Sequence, residues 1–442
     1  MGNNRQLILV EWNEINIPLL QSYIQSYPGR FSHLEQLMNC HHKETSSEPV
    51  YEHIEPWIQW VSVHTGQTYE QHQVFRLGDI VASDHQQIFE TVESMGFKVG
   101  CISPMNAKNN LKKPCYFIPD PWTNTQSDQS WWSRRLTQVI TQAVNDNAKK
   151  NITRSNLMIL AAALVRFSKW RDWPVFFRLI SDSRKKPWCK AMVLDLLLHQ
   201  VHQVYFKKYK PDFSTIFFNA GAHIQHHYLF NSKEVQKAHT IKNPSWYIHP
   251  DLDPMIDMFD IYNRIVGDYL NQGVALVIAT GLSQVPYDQE KFYYRLKHHE
   301  TFLRLLGIDF QSIATKMSRD FNVFFSDQAS ALKAKNQFLK IKDQQGVQLF
   351  SQIDHRGCEL FITLDYPCEM TSATKIVFED KIIDIYDHVV FVAIKNGMHH
   401  QKGDLFWSTD LAPYSPQSDQ HVSEIYTMLL RYFSKSAMSF AK

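Results

Sequence analysis

The chain has 442 residues, with 46 Lys and Arg against 44 Asp and Glu, so its formal net charge is +2 before its 21 histidines are counted. A nearly neutral chain supplies no strong field for phosphate backbones or anionic lipid headgroups, which argues against a dedicated nucleic-acid or membrane-surface protein. Hydrophobic residues make up 44% of the chain, enough for a large packed core, and this excludes a mainly disordered protein. The histidines are about twice as many as a usual frequency of roughly 2% predicts. Metal ligation, proton handling and lineage bias all fit that excess.

The amino-terminal sequence, MGNNRQLILVEW, enters an apolar run at once and lacks the three regions of a signal peptide. The longest apolar stretch, Leu157–Val165, is far shorter than the roughly 20 residues of a membrane helix. Six cysteines are scattered without a CxxC pair, which is typical of reduced, mostly buried thiols. We therefore predict a cytoplasmic protein with no membrane span.

Apolar, β-rich runs recur at wide intervals and predict strands at Gln6–Trp12, Lys98–Ile102, Thr215–Phe218, Val274–Ala279 and Val389–Ile394. Between them, Asp84–Ser94 and Pro254–Gln272 carry apolar residues at helical spacing. Strands that alternate with helices predict an α/β fold with a mainly parallel sheet sandwiched by helices. In such sheets functional residues gather at the carboxyl ends of the strands.

Two regions interrupt this alternation. Residues 123–209 are helical in pattern and rich in Trp and basic residues, which favours a helical insertion that forms a lid or a partner surface. Residues 289–387 have a mixed pattern, with a helix around Tyr294–Leu306 and a small β element near Gly346–Leu364. The predicted organisation is an α/β core (1–122, 210–288 and 388–442), the helical insertion (123–209) and a mixed α/β subdomain (289–387).

One block of sequence carries a family resemblance. Residues 55–72, EPWIQWVSVHTGQTYEQH, contain Thr65-Gly66 and His72 at the spacing of a nucleophile helix followed by a TG-x-x-P-x-x-H-G element. This block resembles the alkaline phosphatase superfamily, in particular its type I phosphodiesterase and nucleotide pyrophosphatase branch. Tyr69 stands at the usual Pro and Gln73 at the usual Gly. In the family His72 is structural, so we assign it no catalytic role.

Four further blocks follow in the order of that superfamily. LILVEWN resembles the first strand and ends on Asn13 where the family has a metal-binding Asp. FFNAGAHIQH resembles the strand before D-x-x-x-H, with His226 at the His. VIATGLSQ resembles the strand before S-D-H-G, and KNGMHHQKG resembles the late G-x-H-x-x-x-G motif, with His399 retained. The resemblance spans Leu7 to about Trp407 and implies an alkaline-phosphatase-like fold with a helical insertion and a small mixed subdomain.

Most of the family's chemical groups are replaced. The resemblance implies two metal ions, typically zinc, and a Ser or Thr nucleophile. The nucleophile position falls on Pro56, and a shift of one residue would place Glu55 there. Among the ligand positions, Ala222, Gly281 and Leu282 cannot ligate through their side chains, and Asn13 replaces an Asp. The resemblance therefore argues against a standard binuclear phosphatase.

The surviving histidines predict a single metal site. His223 and His226 lie three residues apart and can face one side of a helix, and with His399 they supply three imidazoles. Three imidazoles are the number used by open catalytic zinc sites, which keep a fourth position for water. We predict His226, His399, His223 and Asn13 around zinc or another divalent metal. The alternative is that these histidines are hydrogen-bonded or exposed remnants of an ancestral site.

The remaining candidates surround that site. Glu55 is the predicted catalytic carboxylate, either as the nucleophile or, with Glu11 and Glu14, as one of three candidate general bases. Trp57, His227 and His400 are predicted substrate contacts, with core packing for Trp57 and solvation for the two histidines as alternatives.

Two hypotheses of function follow. The first is a divergent metal-dependent hydrolase or transferase that acts on a phospho-, sulfo- or related ester with a single zinc ion. The resemblance extends to bacterial proteins linked to surface glycans, which favours a small-molecule or glycan ester as the substrate and no nucleic-acid partner. The second is a pseudoenzyme that keeps the pocket for ligand or protein binding, which the residues at positions 56, 222, 281 and 282 favour.

Overall fold

The computed structural model describes residues 6–145, 153–315, 319–416 and 420–438. The strands of the amino-terminal half are β1 (Leu7–Trp12), β2 (His41–Ser46), β3 (Val99–Ile102), β4 (Tyr116–Ile118), β5 (Phe213–Phe218), β6 (Ala275–Ala279) and β7 (Ser283–Pro286). The later strands are β8 (Phe292–Leu296), β9 (Ser312–Thr315), β10 (Asp320–Phe324), β11 (Lys342–Asp343), β12 (Ile353–Arg356), β13 (Glu359–Thr363), β14 (Lys375–Phe378), β15 (Lys381–Asp384), β16 (Val389–Ile394), β17 (Gly397–His400) and β18 (Lys402–Trp407).

The α-helices up to the end of the predicted insertion are α1 (Ile17–Ser26), α2 (Ser32–Met38), α3 (Pro56–Thr65), α4 (Tyr69–His72), α5 (Ile88–Ser94), α6 (Trp131–Asn145), α7 (Arg154–Phe167), α8 (Trp173–Asp182) and α9 (Cys189–Tyr209). They are followed by α10 (Ala220–Tyr228), α11 (Pro254–Leu270), α12 (His299–Leu306), α13 (Gln328–Phe338) and α14 (Glu424–Met438). No helix of the described residues is long and apolar enough to cross a bilayer.

A seven-stranded sheet has the order β2-β18-β6-β1-β5-β3-β4. The strands from β6 to β4 are parallel, and β18 runs antiparallel to both β6 and β2. All six residues of β1 are buried, because side chains of alternate residues point to opposite faces and helices cover both. The predicted fold class is therefore confirmed.

Each face of this sheet packs on its own set of helices. Leu7 and Leu9 of β1 belong to the core cluster that also contains buried residues of α3, α5 and α14. On the other face, Trp12 makes an edge-to-face ring contact with Tyr262 of α11, with the ring centroids 5.2 Å apart. The His202 imidazole of α9 lies within 2.8 Å of the Ser214 hydroxyl on the same face. The carboxyl ends of β1, β5 and β6 thus open between two helical layers.

The chain divides into two compact units. One contains the seven-stranded sheet, its helices and the antiparallel pair β7–β17. The other is formed mainly by residues 287–396 and contains a four-stranded antiparallel sheet, a three-stranded sheet and the pair β8–β16.

Two predicted elements differ in the structure. The helix expected around Tyr294–Leu306 begins only at His299, because Phe292, Tyr294 and Leu296 are buried at the alternating positions of strand β8. Val389–Ile394 is a strand, as predicted, but it pairs with β8 and not with the seven-stranded sheet. An apolar run alone does not specify which sheet a strand joins.

Candidate metal centre

The turn after β1 places two polar residues at the edge of the sheet. The Asn13 N–H donates to the carbonyl of Phe218 at the end of β5 (3.1 Å), and the Glu14 N–H donates to the carbonyl of Thr280 after β6 (3.0 Å). Glu14 has a φ of 60°, in the left-handed region that residues other than glycine rarely adopt. The two backbone hydrogen bonds hold this conformation, and such positions are common at functional sites.

Three side chains converge at this turn. The Oε2 atom of Glu14 lies 3.0 Å from Nε2 of His226 and 3.3 Å from Nε2 of His399. The two Nε2 atoms are 3.2 Å apart. Glu14 is buried, whereas both imidazoles are partly exposed. Two histidine nitrogens and one carboxylate oxygen therefore form a nearly equilateral triangle that is open to solvent on the histidine side.

The Glu14 carboxylate is held by neutral donors as well. Its Oε1 accepts a hydrogen bond from the Asn13 amide (2.9 Å), and its Oε2 accepts one from the Gln284 amide. Burial alone would raise the pKa of Glu14, but the adjacent His399 and His226 lower that pKa well below its ordinary value. The carboxylate is therefore ionised at neutral pH.

A buried carboxylate fixes the start of α10, which carries His226. Asp195 of α9 accepts hydrogen bonds from the N–H groups of Asn219 (3.3 Å) and Ala220 (2.9 Å) and from the Tyr262 hydroxyl (2.8 Å). The Tyr262 hydroxyl in turn accepts from the N–H of Gly221 (2.7 Å). Burial raises the pKa of Asp195 to about 7. These bonds satisfy N–H groups that the first turn of a helix leaves without partners.

The other imidazole comes from β17. His399 lies opposite Gln284 of β7 in an antiparallel pair, and its Nδ1 is 3.4 Å from Oε2 of Glu55. A carboxylate beside one ring nitrogen favours the tautomer that leaves the other nitrogen free to bind a metal. Glu55 immediately precedes α3 and is partly exposed, so it borders the same open side of the triangle.

The donor set fits a divalent metal. Two atoms that each lie about 2.0–2.1 Å from a tetrahedral zinc ion are about 3.3 Å apart, and the three measured separations are close to that value. Two imidazoles and one carboxylate are also a donor set that catalytic zinc sites use. Without a cation, two imidazole nitrogens at 3.2 Å can satisfy each other only when a proton lies between them.

The predicted ligands fall into two groups. His226 and His399 lie together in the triangle, whereas His223, one turn earlier on α10, packs its ring against His227 with centroids 4.7 Å apart. Burial lowers the pKa of His223 to about 4. The Asn13 carboxamide is engaged elsewhere: its oxygen accepts from the Trp60 indole (2.8 Å), and its amide donates to Glu14 and to Asn219 (both 2.9 Å).

The three predicted substrate contacts have different surroundings. His400 follows His399 in β17, so its side chain points to the opposite face of the strand. His227 lies one residue after His226, with the two ring centroids 6.3 Å apart. Trp57 packs partly against the core, and its indole N–H donates to the carbonyl of Phe75 (3.0 Å). These three assignments stay predictions.

Sequence reasoning placed Glu14 among the candidate bases and did not identify it as a ligand. It also missed two glutamines. The Gln225 amide donates to the Glu14 carbonyl (2.9 Å), and its oxygen accepts from the Asn16 N–H (3.1 Å). The Gln284 amide donates to the Glu14 carboxylate. The available signal was the position of Glu14, immediately after the residue at which the first strand of the superfamily ends.

Several solved structures are similar to this chain. Phosphonoacetate hydrolase from Sinorhizobium meliloti 1021 in complex with phosphonoformate is 10% identical, with a TM-score of 0.42 over 97% of this chain and 95% of that one. Human ectonucleotide pyrophosphatase/phosphodiesterase 5 is 9% identical, with a TM-score of 0.42 over the same shares of the two chains. Alkaline phosphatase from the Antarctic bacterium TAB5 is 8% identical, with a TM-score of 0.40 over 97% of this chain and 98% of that one.

These three proteins are members of the alkaline phosphatase superfamily, the same superfamily that the sequence motifs resemble. No family model and no curated protein matches the chain. Because the identities and TM-scores are low, the role of each residue rests on the geometry of this chain.

Proposed function

We propose that this chain, a divergent relative of alkaline phosphatase superfamily enzymes, is a metal-dependent hydrolase with a single divalent metal, zinc in the first instance. Glu14, His226 and His399 would hold the metal. The observation that carries the proposal is the triangle of one carboxylate oxygen and two imidazole nitrogens, 3.0–3.3 Å apart, at the carboxyl ends of the parallel strands.

A bound divalent metal supplies Lewis-acid stabilisation of negative charge on an ester oxygen. The substrate class that fits is a phospho-, sulfo- or related ester, including an ester of a glycan.

Glu55 is the proposed catalytic carboxylate. Its position before α3 and its distance of 3.4 Å from Nδ1 of His399 place it beside the triangle, and its side chain is 28% exposed. As a general base it would accept a proton from water while the water oxygen bonds to the phosphorus or sulfur atom and the ester oxygen departs with a proton from solvent. Pro56, the next residue, has no group that could attack the ester.

The test is metal content together with hydrolysis. We expect the purified protein to bind about one equivalent of zinc, by elemental analysis, and to hydrolyse members of a panel of aryl phosphate, sulfate and phosphodiester substrates. His226→Ala with His399→Ala should lose both the metal and the activity. Glu55→Gln should lose activity and bind zinc about 10–100-fold more weakly, because Glu55 also orients His399, so its activity is measured at saturating zinc. His298→Ala, at an exposed histidine outside the site, is the matched control for loss of an imidazole. Wild-type protein without metal, or activity unchanged in the double variant, would exclude the metalloenzyme.

A second candidate is a binding module without catalysis. Gly281 and Leu282 occupy the positions at which the resemblance implies two ligands, and Leu282 is completely buried. Stoichiometric metal without hydrolysis of any ester in the panel would favour this pseudoenzyme.

A further inference from the structure

The helices of the 153–186 segment expose an unusual amount of apolar surface. Six large side chains, here called the insertion surface, are between 46% and 86% exposed: Leu157, Met158, Val165, Trp170, Phe177 and Ile180. Isolated exposed apolar residues are ordinary, but a cluster within one short segment marks an interaction site.

The exposed side chains follow the periodicity of their helices. On α7, Leu157, Met158 and Val165 lie on the side opposite the buried Ala163 and Phe167. On α8, Phe177 and Ile180 share a face, while Phe176 and Leu179 are buried. Both helices pack on α9, so each already has a buried apolar face and presents a second apolar strip to solvent.

The charge of the same segment indicates what covers these strips. Residues 153–186 contain eight Lys and Arg and two Asp, a net charge of +6, whereas the whole chain carries only +2. Six of the basic side chains are exposed: Arg154, Arg166, Arg171, Arg178, Arg184 and Lys185. Apolar anchors next to basic side chains are the combination that binds amphipathic helices to anionic bilayers. The near-neutral total thus conceals a strongly basic region.

We propose that the insertion surface docks reversibly on an anionic lipid membrane, with its apolar side chains in the interfacial region and its basic side chains on the headgroups. A second copy of the chain is the less favourable occupant. A symmetric dimer built on this surface would place one +6 segment against another, and like charges across an interface oppose association. This inference does not depend on the metal centre.

The experiment is co-sedimentation of the full chain with vesicles. We expect binding to vesicles that contain phosphatidylglycerol, weak binding to phosphatidylcholine alone, and loss of binding as salt screens the charges. Phe177→Asp with Ile180→Asp should weaken binding to the anionic vesicles at least about tenfold, because two apolar anchors are lost. Arg178→Glu with Arg184→Glu should do the same through charge.

The matched controls are Ile382→Asp, at an apolar residue that is 65% exposed elsewhere, and Lys333→Glu, at an exposed lysine of α13. Both should bind as the wild type does. Circular dichroism and unfolding temperature establish that each variant is folded. Equal binding to both kinds of vesicle, no binding to either, or a dimer in solution that the α8 variants dissociate would overturn the proposal.

Discussion

Glu14→Gln tests the metal centre with little change in shape. In the wild type both carboxylate oxygens accept hydrogen bonds from amide donors, Oε1 from Asn13 and Oε2 from Gln284. A glutamine has only one acceptor oxygen, so in either orientation its NH₂ group faces a donor. We expect the buried mismatch to cost about 1–3 kcal/mol of unfolding free energy.

The same substitution removes the only anionic atom of the triangle. We expect zinc affinity to fall by about 100-fold, the upper end of the losses seen when groups that merely orient metal ligands are changed. At a zinc concentration 100 times the wild-type Kd, bound metal stabilises the wild type by about 2.7 kcal/mol. At that concentration a site 100-fold weaker is half filled and gains only about 0.4 kcal/mol.

The assay is urea unfolding with and without zinc, combined with a competition titration against a chromophoric chelator. Glu44→Gln is the matched control, because Glu44 is an exposed carboxylate whose ion pair with Lys402 contributes little. The reasoning is refuted if Glu14→Gln keeps the wild-type affinity, or if zinc leaves wild-type stability unchanged.

Three further predictions concern the surroundings of the site. Trp60→Phe removes the indole donor of Asn13 and should cost about 1–3 kcal/mol of unfolding free energy in urea titrations, since a buried amide oxygen loses its partner. Burial lowers the pKa of His72 to about 4, so the stability that neutral His72 contributes is complete above its unfolded pKa of 6.5 and is lost as pH falls through about 4. That loss amounts to about 3 kcal/mol of unfolding free energy and should be absent in His72→Gln. Parallel curves of unfolding free energy against pH for the two proteins would contradict it. Gly397→Ala would place a Cβ 2.1 Å from Oε1 of Gln284, so strand β17, which carries His399, would have to shift. We therefore expect weaker zinc binding in a titration, and unchanged affinity would show that the strand accommodates the methyl group.

The sequence predicts the centre of the sheet better than its edge. Strands β1, β3, β5 and β6 are short apolar runs because both of their faces are buried, and each was predicted close to its observed bounds. Strands β2 and β18 were missed: β2 reads HHKETS and β18 begins with polar residues. These strands are held by backbone hydrogen bonds to their neighbours in the sheet, and a hydrophobic pattern does not predict such pairing.

The candidate site also has a part that the sequence predicts and a part that depends on the folded chain. The motif spacing predicts that His226 and His399 approach each other, because both follow strands whose positions the resemblance implies. The role of Glu14 depends on a backbone φ of 60° held by hydrogen bonds to residues more than 200 positions away, and no local pattern encodes that conformation. The amides of Gln225 and Gln284 likewise become relevant only once α10 and β7 meet the turn after β1.

The positions at which the sequence resemblance implies further ligands are occupied by side chains that fit one another. Gly281 has a φ of 73°, and a Cβ there would lie 3.2 Å from the indole ring of Trp60, which donates to Asn13. A side chain at position 281 would therefore be strained by the positive φ and would press on the indole ring that donates to the Asn13 oxygen. The ligand atoms of Glu14, His226 and His399, in contrast, converge on one point, and this convergence is the basis of the proposed one-metal centre.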